Sequence, residues 1–408
     1  MRADGPHVVI VVENLPVPFD RRVWLEASTL RANGYRVTVV CPKGVGFEED
    51  EAVLDGVRIL RHALPPEQSS AAGYIREYVA ALLEERRILS AVRRDGPIDI
   101  IHLCNPPDVL FFVALRFKLL DGTRVIFDQH DINPELWEAK RGRRGVIYWG
   151  LRLVEWLTFH TADVVISTNE SYRKVALLRG HRRPDRVFIV RSAPDLSRFR
   201  ATAPVERYRR GRRYLVGYVG VIGEQDGLDQ LLMAVRHMVH VRQRDDVGFC
   251  IVGSGPALDA SRALAQELSI EDFVEFTGRA SDGELLERLS TCDICVDPDP
   301  KTPFNDSSTM NKILEYMALG KPIVQFDLVE GRRSAGEASL YVPAGDAAAF
   351  GDAILALADD PCTRDAMGAA GLSRMTSTLE WRHQTAPLLS AYECALRTRH
   401  AHTVEGDA

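Results

Sequence analysis

The sequence lacks several features that would place it in a familiar class at once. No apolar run reaches the ~18 residues that a membrane-spanning helix needs, and the opening MRADGPH does not begin a signal peptide. The seven cysteines are scattered and odd in number, which favours reduced thiols over a disulfide framework. We therefore expect a cytoplasmic protein.

The sequence also has no strong net charge and no cysteine spacing typical of a metal site. Lysine plus arginine number 51 and aspartate plus glutamate number 57, so the formal net charge is −6, which argues against a dedicated nucleic-acid binder. Cys292 and Cys295 form a C-x-x-C, but "CDICVDP" is typical of a strand and no second cysteine pair accompanies it. We expect no metal and no cofactor.

The chain of 408 residues alternates predicted strands with predicted helices. Strand patterns such as "HVVIVVEN" and "YRVTVVCP" fill the first half, and the pattern restarts at "YLVGYVGVIG" after a break rich in proline and arginine. This predicts the α/β class, with two Rossmann-like, doubly wound parallel-sheet domains and an interdomain cleft. We expect an N-terminal domain over 1–198, a C-terminal domain over 199–377, and a final helix within 378–408 that joins the N-terminal domain.

The loop after the first strand reads "ENLPVPFDRR" and lacks G-x-G-x-x-G, which removes the best evidence for NAD binding. The segment "FNDSSTMNKILEYMALGKPIV" is more informative. Met310, Ile313, Leu314 and Met317 follow the i, i+3, i+4, i+7 spacing of one helical face. We therefore predict a helix that opens on 307–309 and ends near Gly320.

The start of that helix is suited to a phosphate group, because unpaired N–H groups and a partial positive charge lie at a helix N-terminus. Ser308, Lys312 and Glu315 share a face. Lys312 can hold phosphate charge, and Glu315 can accept hydrogen bonds from ribose hydroxyls. The alternative is a Ser or Thr N-cap followed by a solvated Lys–Glu pair.

A second polar loop follows the predicted strand "RVIF". His130 lies there between Asp128 and Asp131, and carboxylate neighbours can orient an imidazole and set its pKa. The alternative is a histidine hydrogen-bonded within a loop. Glu13 and Asn14 lie on the loop after the first strand, where they could meet a donor or an acceptor.

Four segments together carry a family resemblance: "VVENLPVPFDRRVWLEA", "FDQHDINPELWEAK", "GYVGVIGEQDGLDQLL" and "STMNKILEYMALGKPIV". The chain resembles the retaining GT-B glycosyltransferases of family four, most closely the bacterial branch associated with surface polysaccharides and secondary metabolites. The resemblance covers about residues 7 to 397. It implies transfer of a sugar from a nucleotide diphosphate donor to a small-molecule or lipid-linked acceptor, without a metal.

The resemblance also assigns residues. It implies that His130, Lys312 and Glu315 form the catalytic set, with His130 near the donor sugar. The donor and nucleotide side is expected to comprise Gly223, Arg279, Ser307, Ser308, Thr309, Met310, Asn311, Lys312 and Glu315. The acceptor or phosphate side is expected to comprise Glu13, Asn14, Arg21, Arg22 and Asp131.

Two positions depart from the family pattern. The family usually has two glutamates eight positions apart, and the first of them would fall at Ser307. The loop "GVIGEQDG" has Val221 or Ile222 where the family has an arginine, and Asp226 where it has a lysine. Since a departing diphosphate must be neutralised, we predict that Lys312 is the main phosphate cation. Arg279 and the Arg21–Arg22 pair are the other candidates.

Other functions stay open. A GT-B sugar-nucleotide epimerase and a non-catalytic sugar-nucleotide-binding subunit are the alternatives. The segment "KRGRRGVIYWGLRLVEWLTF", residues 140–159, places Trp149 and Trp156 on one helical face. A buried helix is the favoured interpretation, and peripheral contact with the inner face of a membrane is the alternative.

Overall fold

The computed structural model describes residues 5–63, 71–197 and 199–404, without the side chains of 71–79 and 398–404. The chain divides into two compact units. The first comprises the chain up to Glu138, Gly142–Ser192 and the end of the chain from Gln384, and the second comprises Ala139–Arg141 and Ala193–His383. Each unit has a sheet of its own, so each is described by itself.

The first sheet has eight strands in the order β3-β4-β2-β1-β5-β6-β7-β8, and only the β3–β4 pair is antiparallel. All six residues of β1, HVVIVV, are buried, as expected where helices cover both faces of a parallel sheet. The strands are β1 (His7–Val12), β2 (Arg36–Pro42), β3 (Glu51–Leu54), β4 (Val57–His62), β5 (Ile100–Cys104), β6 (Arg124–Gln129), β7 (Val164–Ser167) and β8 (Val187–Ile189).

Helices connect these strands. The first of them begins after Asp20, whose carboxylate accepts a hydrogen bond from the Val23 N–H and so caps the helix. The helices of this half of the chain are α1 (Arg21–Ala32), α2 (Ala71–Asp95), α3 (Phe111–Asp121), α4 (Asn133–Arg141), α5 (Val146–Thr161) and α6 (Glu170–Leu178).

The second sheet has six strands, all parallel, in the order β11-β10-β9-β12-β13-β14. The strands are β9 (Tyr214–Val219), β10 (Val247–Val252), β11 (Val274–Gly278), β12 (Ile294–Asp297), β13 (Ile323–Phe326) and β14 (Ser339–Val342). The helices are α7 (Leu228–Arg236), α8 (Leu258–Glu267), α9 (Asp282–Thr291), α10 (Pro303–Ser307), α11 (Asn311–Ala318), α12 (Val329–Ala335), α13 (Ala347–Asp359) and α14 (Pro361–Arg374). The predicted fold class, α/β with two parallel-sheet domains, is confirmed.

The last helix is α15 (Trp381–Val404). Its Tyr392 is fully buried and lies with its hydroxyl 2.5 Å from Nδ1 of His102 on β5. The end of the chain from Gln384 therefore belongs to the first compact unit.

The prediction that a single helix begins at 307–309 is wrong. The segment folds as two helices, because α10 ends at Ser307 and α11 begins at Asn311, after an extended Met310 that supplies no side-chain cap. Ser308 is also extended, and its hydroxyl donates to the Phe304 carbonyl at 2.8 Å instead of capping α11.

The interpretation of 140–159 as a buried helix is also wrong for one of its faces. Phe159 on α5 is fully buried, whereas Val146 is 90% exposed and Trp149 is 62% exposed. One face of α5 packs on the domain and the other is an apolar surface. Among the described residues, no helix has the length and apolar character required to span a bilayer.

Candidate active site

His130 lies immediately after β6, at the carboxyl end of the first sheet. Asn105, which follows the neighbouring strand β5, fixes this loop. Its side-chain oxygen accepts hydrogen bonds from the N–H of His130 at 2.6 Å and of Asp131 at 3.2 Å, and its amide donates to the Asp131 carbonyl at 2.9 Å. The backbone around the imidazole is thus held by a residue that the sequence analysis did not single out.

The His130 ring is oriented by Asp128. Its Nε2 lies 2.5 Å from Oδ2 of Asp128, which is fully buried. Burial alone would raise the pKa of the Asp128 carboxyl, but Arg22 and His130 overcome that effect and hold it well below its ordinary value. Asp128 is therefore a carboxylate, and this contact favours the tautomer of His130 with its proton on Nε2. Nε of Arg22 also lies 3.1 Å from this nitrogen.

Arg22 is the cation of this group. Its guanidinium contacts Asp128 through Nε at 2.9 Å and Nη2 at 2.7 Å, and Nη2 lies 3.1 Å from Glu26. Nη1 donates to the Val190 carbonyl at 2.9 Å. Arg22 is buried inside its own domain, whereas its neighbour Arg21 is exposed. Both arginines were predicted on the acceptor or phosphate side, and in the structure the donors of Arg22 are engaged by protein acceptors.

Glu26, His102 and Cys104 are buried near Asp128. Together with Arg22 and Asp128 they form a group that we call the Arg22 cluster. Glu26 is fully buried, and burial followed by repulsion from Asp128 raises its pKa well above the ordinary value. His102 is also buried, and burial lowers its pKa. Potential ligand atoms of Glu26, His102, Cys104 and Asp128 lie within 4.8 Å of one another, but the Arg22 guanidinium already supplies the positive charge.

Glu13 and Asn14, the other predicted residues of the first domain, differ in exposure. Glu13 is buried, and its Oε2 lies 3.1 Å from Nε2 of His62 at the end of β4. Asn14 is exposed at the carboxyl end of β1. Asn14 is therefore placed to meet a ligand, whereas Glu13 is directed into the domain.

In the second domain, the loops after β9 and β12 contact each other because these strands are neighbours. The amide of Asn305 donates to the Gln225 carbonyl at 3.1 Å and to the Pro300 carbonyl at 2.9 Å. Gly223, expected on the donor and nucleotide side, donates its N–H to Asp226 at 2.8 Å. Burial raises the pKa of Asp226.

Lys312, on the first turn of α11, lies among carboxylates. Its ammonium donates to Oδ1 of Asp297 at 3.0 Å and of Asp299 at 2.8 Å, and it lies 4.9 Å from the centre of the Tyr218 ring. Burial followed by repulsion from Asp297 raises the pKa of Asp299 well above its ordinary value. The sequence analysis did not predict the Lys312–Asp297–Asp299 group, although the two acids in "DPDP" at the end of β12 were the available signal.

The remaining predicted donor residues lie around the start of α11 or at the sheet edge. Ser307 ends α10, Thr309 and Met310 form the connection, and Glu315 is half-buried on the second turn of α11. Arg279 follows β11, the edge strand, and is exposed. The second domain thus brings Lys312, Asp226 and the α11 N-terminus together.

The two halves of the chain match two family models. Residues 20–193 match a model described as "Glycosyl transferase 4-like domain", and residues 213–360 match one described as "Glycosyl transferases group 1". The chain belongs to the GT-B glycosyltransferases of family four. This membership agrees with the resemblance carried by the four sequence segments.

Relatives of this GT-B chain include a phosphatidyl-myo-inositol mannosyltransferase of Mycobacterium leprae, 30% identical over 151 residues, which are 36% of this chain and 38% of that protein. The match thus spans less than half the length of that relative. Among solved structures, the sucrose-phosphate synthase of Thermosynechococcus elongatus has a TM-score of 0.78 at 19% identity, covering 95% of this chain and 98% of that one. HepE of Anabaena in complex with UDP-glucose has a TM-score of 0.71 at 14% identity, covering 95% and 100%. These structures establish the shared fold.

Proposed function

We propose that the chain is a retaining glycosyltransferase that transfers a sugar from a nucleoside diphosphate donor to a small-molecule or lipid-linked acceptor. The reaction needs no cofactor beyond the donor. The observation that carries the proposal is the orientation of His130 by Asp128 at the carboxyl end of β6, in a chain of the GT-B family. HepE with UDP-glucose and the mannosyltransferase of M. leprae support this donor and acceptor chemistry.

His130 is proposed to position and stabilise the donor sugar. Because its Nε2–H is directed at Asp128, Nδ1 remains as a hydrogen-bond acceptor for a sugar hydroxyl. The acceptor attacks from the face that the leaving group occupies, and the departing diphosphate takes the acceptor proton. In this scheme His130 is not the base.

The leaving diphosphate is proposed to meet the N-terminus of α11, where unpaired N–H groups favour an anion, together with Lys312. The ammonium of Lys312 contacts Asp297 and Asp299. Both acids hold the ammonium, and burial followed by repulsion from Asp297 raises the pKa of Asp299. A phosphate at this position would compete with Asp299 for an N–H of the ammonium.

A panel of UDP- and GDP-sugars, offered with and without polyol and glycolipid acceptors, tests the proposal. We expect release of nucleoside diphosphate with transfer of the sugar, and the anomeric configuration of the donor in the product by NMR. His130→Ala should keep donor affinity within a few-fold and lower turnover by about 10²-fold or more. His240→Ala, at an exposed histidine of the second domain, is the control. An epimerised nucleotide sugar, or binding without turnover, would contradict the proposal.

We also propose that the exposed face of α5 contacts an anionic membrane surface. Val146, Trp149, Leu153 and Trp156 are 90%, 62%, 58% and 41% exposed, and their alternating spacings of three and four residues place them on one stripe. The basic run 140–144 immediately precedes the helix. An apolar stripe with tryptophans beside a basic segment is typical of helices that lie on membranes.

Sedimentation with lipid vesicles tests this contact. The chain should bind vesicles that contain phosphatidylglycerol more strongly than vesicles of phosphatidylcholine alone, and salt should weaken the binding. The Trp149→Ser/Trp156→Ser variant should lose it, whereas Leu178→Ser, at a leucine on α6 that is 73% exposed, should not. Equal sedimentation of the double variant, or a stripe that instead pairs two copies of the chain, would overturn this assignment.

A further inference from the structure

A second buried polar group lies in the first domain, separate from the Arg22 cluster. Glu13 follows β1, His62 ends β4 and Glu85 lies on α2. The exposed fractions of these residues are 9%, 3% and 0%. One potential ligand atom from each lies within 4.8 Å of the others. Three distant parts of the chain thus bring two carboxyl groups and an imidazole into one place away from water.

The group has no satisfactory hydrogen bonding of its own. No donor reaches either oxygen of Glu85, although both are buried, and the neighbouring group within hydrogen-bonding reach is the Glu13 carboxyl. Glu13 Oε2 and His62 Nε2 are 3.1 Å apart, yet neither atom makes a hydrogen bond. In the described part of the chain, no lysine or arginine pairs with either carboxyl group. Buried polar atoms without partners are costly, so a ligand that contacts all three residues would satisfy them.

The hydrogen bonding of the His62 imidazole resembles that of a metal-bound histidine. Nδ1 of His62 lies 3.4 Å from the Ala63 carbonyl, which favours placing the ring proton on Nδ1 and leaves a lone pair on Nε2, the nitrogen that lies 3.1 Å from Oε2 of Glu13. Metal-bound histidines commonly donate their other N–H to a backbone carbonyl in this way. Two ligands that each bind a metal at ~2.1 Å lie roughly 3.0–3.4 Å apart, and the Glu13–His62 separation of 3.1 Å fits that range.

We propose that Glu13, His62 and Glu85 bind one divalent first-row transition-metal cation, of which Zn²⁺ and Mn²⁺ are representative. Two carboxylates and a neutral imidazole suit such ions, whereas Ca²⁺ and Mg²⁺ prefer oxygen ligands alone. The cation would offset the repulsion and burial that raise the pKa of Glu85. It would fix the loop after β1 to α2 and is not required to enter the sugar-transfer chemistry.

Metal binding by the untagged full chain, stripped with a chelator and dialysed, provides the test. We expect Co²⁺ to bind with a stoichiometry of one per chain, to produce visible absorption bands, and to be displaced by Zn²⁺. Glu85→Gln and His62→Gln should each weaken binding by at least about 100-fold, because each removes a direct ligand. Glu84→Gln is the matched control, since the side chain of that neighbour is 44% exposed and pairs with Arg87.

The melting temperature supplies a second measurement that does not depend on the absorption bands. Zn²⁺ should raise the melting temperature of the parent chain and of Glu84→Gln. It should leave Glu85→Gln unchanged, while Glu85→Gln without metal should melt no lower than the metal-free parent, since it removes a buried acid. Absence of saturable binding in the parent at micromolar Co²⁺, or unchanged binding in Glu85→Gln, would overturn the site in favour of a proton shared between Glu13 and Glu85.

Discussion

The guanidinium of Arg22 on α1 contacts both carboxylate oxygens of Asp128 on β6, at 2.9 and 2.7 Å. Both residues are buried, so each compensates for the burial of the other's charge. Through Asp128 the pair also orients His130, 2.5 Å away. Arg22 thus acts on the candidate active site as a positioning residue, through the Asp128 carboxylate and through its own contact of 3.1 Å with Nε2 of His130.

Removal of the Asp128 charge should therefore destabilise the folded chain. We expect Asp128→Asn to lower the free energy of unfolding by ~3–5 kcal/mol, because it leaves a buried guanidinium without its main partner. Asp185→Asn, which breaks the exposed pair with Arg183, should lower the free energy of unfolding far less, because solvent screens that pair. Chemical denaturation of the full-length variants measures both values. Similar small losses in the two variants would show that the Arg22–Asp128 pair is not a major stabilising contact.

The pH dependence of stability should contain a contribution from Asp108. Burial raises the pKa of this carboxyl from 3.8 to about 6, although Asn105 donates to it at 2.7 Å. The folded state therefore retains a proton that the unfolded state releases, so this contribution to stability is present below pH ~4 and is lost as the pH rises to about 6. The change corresponds to roughly 3 kcal/mol.

Asp108→Asn should remove that dependence. The difference in unfolding free energy between variant and parent should shift by up to ~3 kcal/mol in favour of the variant between about pH 4 and pH 7. Asp259→Asn, whose side chain is 96% exposed, is the control and should show no such trend. A difference that stays constant with pH for Asp108→Asn would mean that this carboxyl titrates alike in both states.

The affinity for the nucleotide should depend on Glu315 more than on Ser307. A carboxylate can accept hydrogen bonds from both hydroxyls of a ribose, and the loss of a charged hydrogen bond costs ~1.5–3 kcal/mol. We expect calorimetry with UDP and GDP to show this loss for Glu315→Ala and a smaller one for Ser307→Ala. The control is Glu337→Ala, at an exposed glutamate of the same domain. Affinity equal to that of the parent would remove Glu315 from the nucleotide site.

The sequence predicted those parts of the molecule that depend on local patterns. Runs such as HVVIVV predicted buried parallel strands, and the closeness of Asp128 to His130 in sequence predicted that a carboxylate orients the imidazole. The burial of Arg22 was not predictable from local patterns, because "DRRVW" is typical of a helix start. The partner of Arg22 is Asp128 on β6, which is distant in the sequence. The break between α10 and α11 was missed because the apolar spacing continues to Met310 while hydrogen bonding around Ser308 interrupts the helix.

Lys312 is the residue for which structure and sequence suggest different roles. The sequence predicts a phosphate cation, whereas the structure shows an ammonium held by Asp297 and Asp299 at 3.0 and 2.8 Å. Lys312→Met alone cannot separate these roles, since it would leave two buried acids without their cation. It should lower both the melting temperature and the rate of sugar transfer.

A double variant separates the role of Lys312 as a phosphate cation from its structural role beside Asp297 and Asp299. Lys312→Met/Asp297→Asn removes the ammonium together with one of the two acids that hold it, so the melting temperature should recover relative to Lys312→Met. If Lys312 neutralises the leaving diphosphate, turnover should stay about 10²–10³-fold below the parent, because the charge needed in the transition state is still missing. Donor binding should fall less than turnover. Asp297→Asn alone is the matched control, since it keeps the ammonium. Recovery of turnover in the double variant would assign Lys312 a structural role and make Arg279 the next candidate for the phosphate cation.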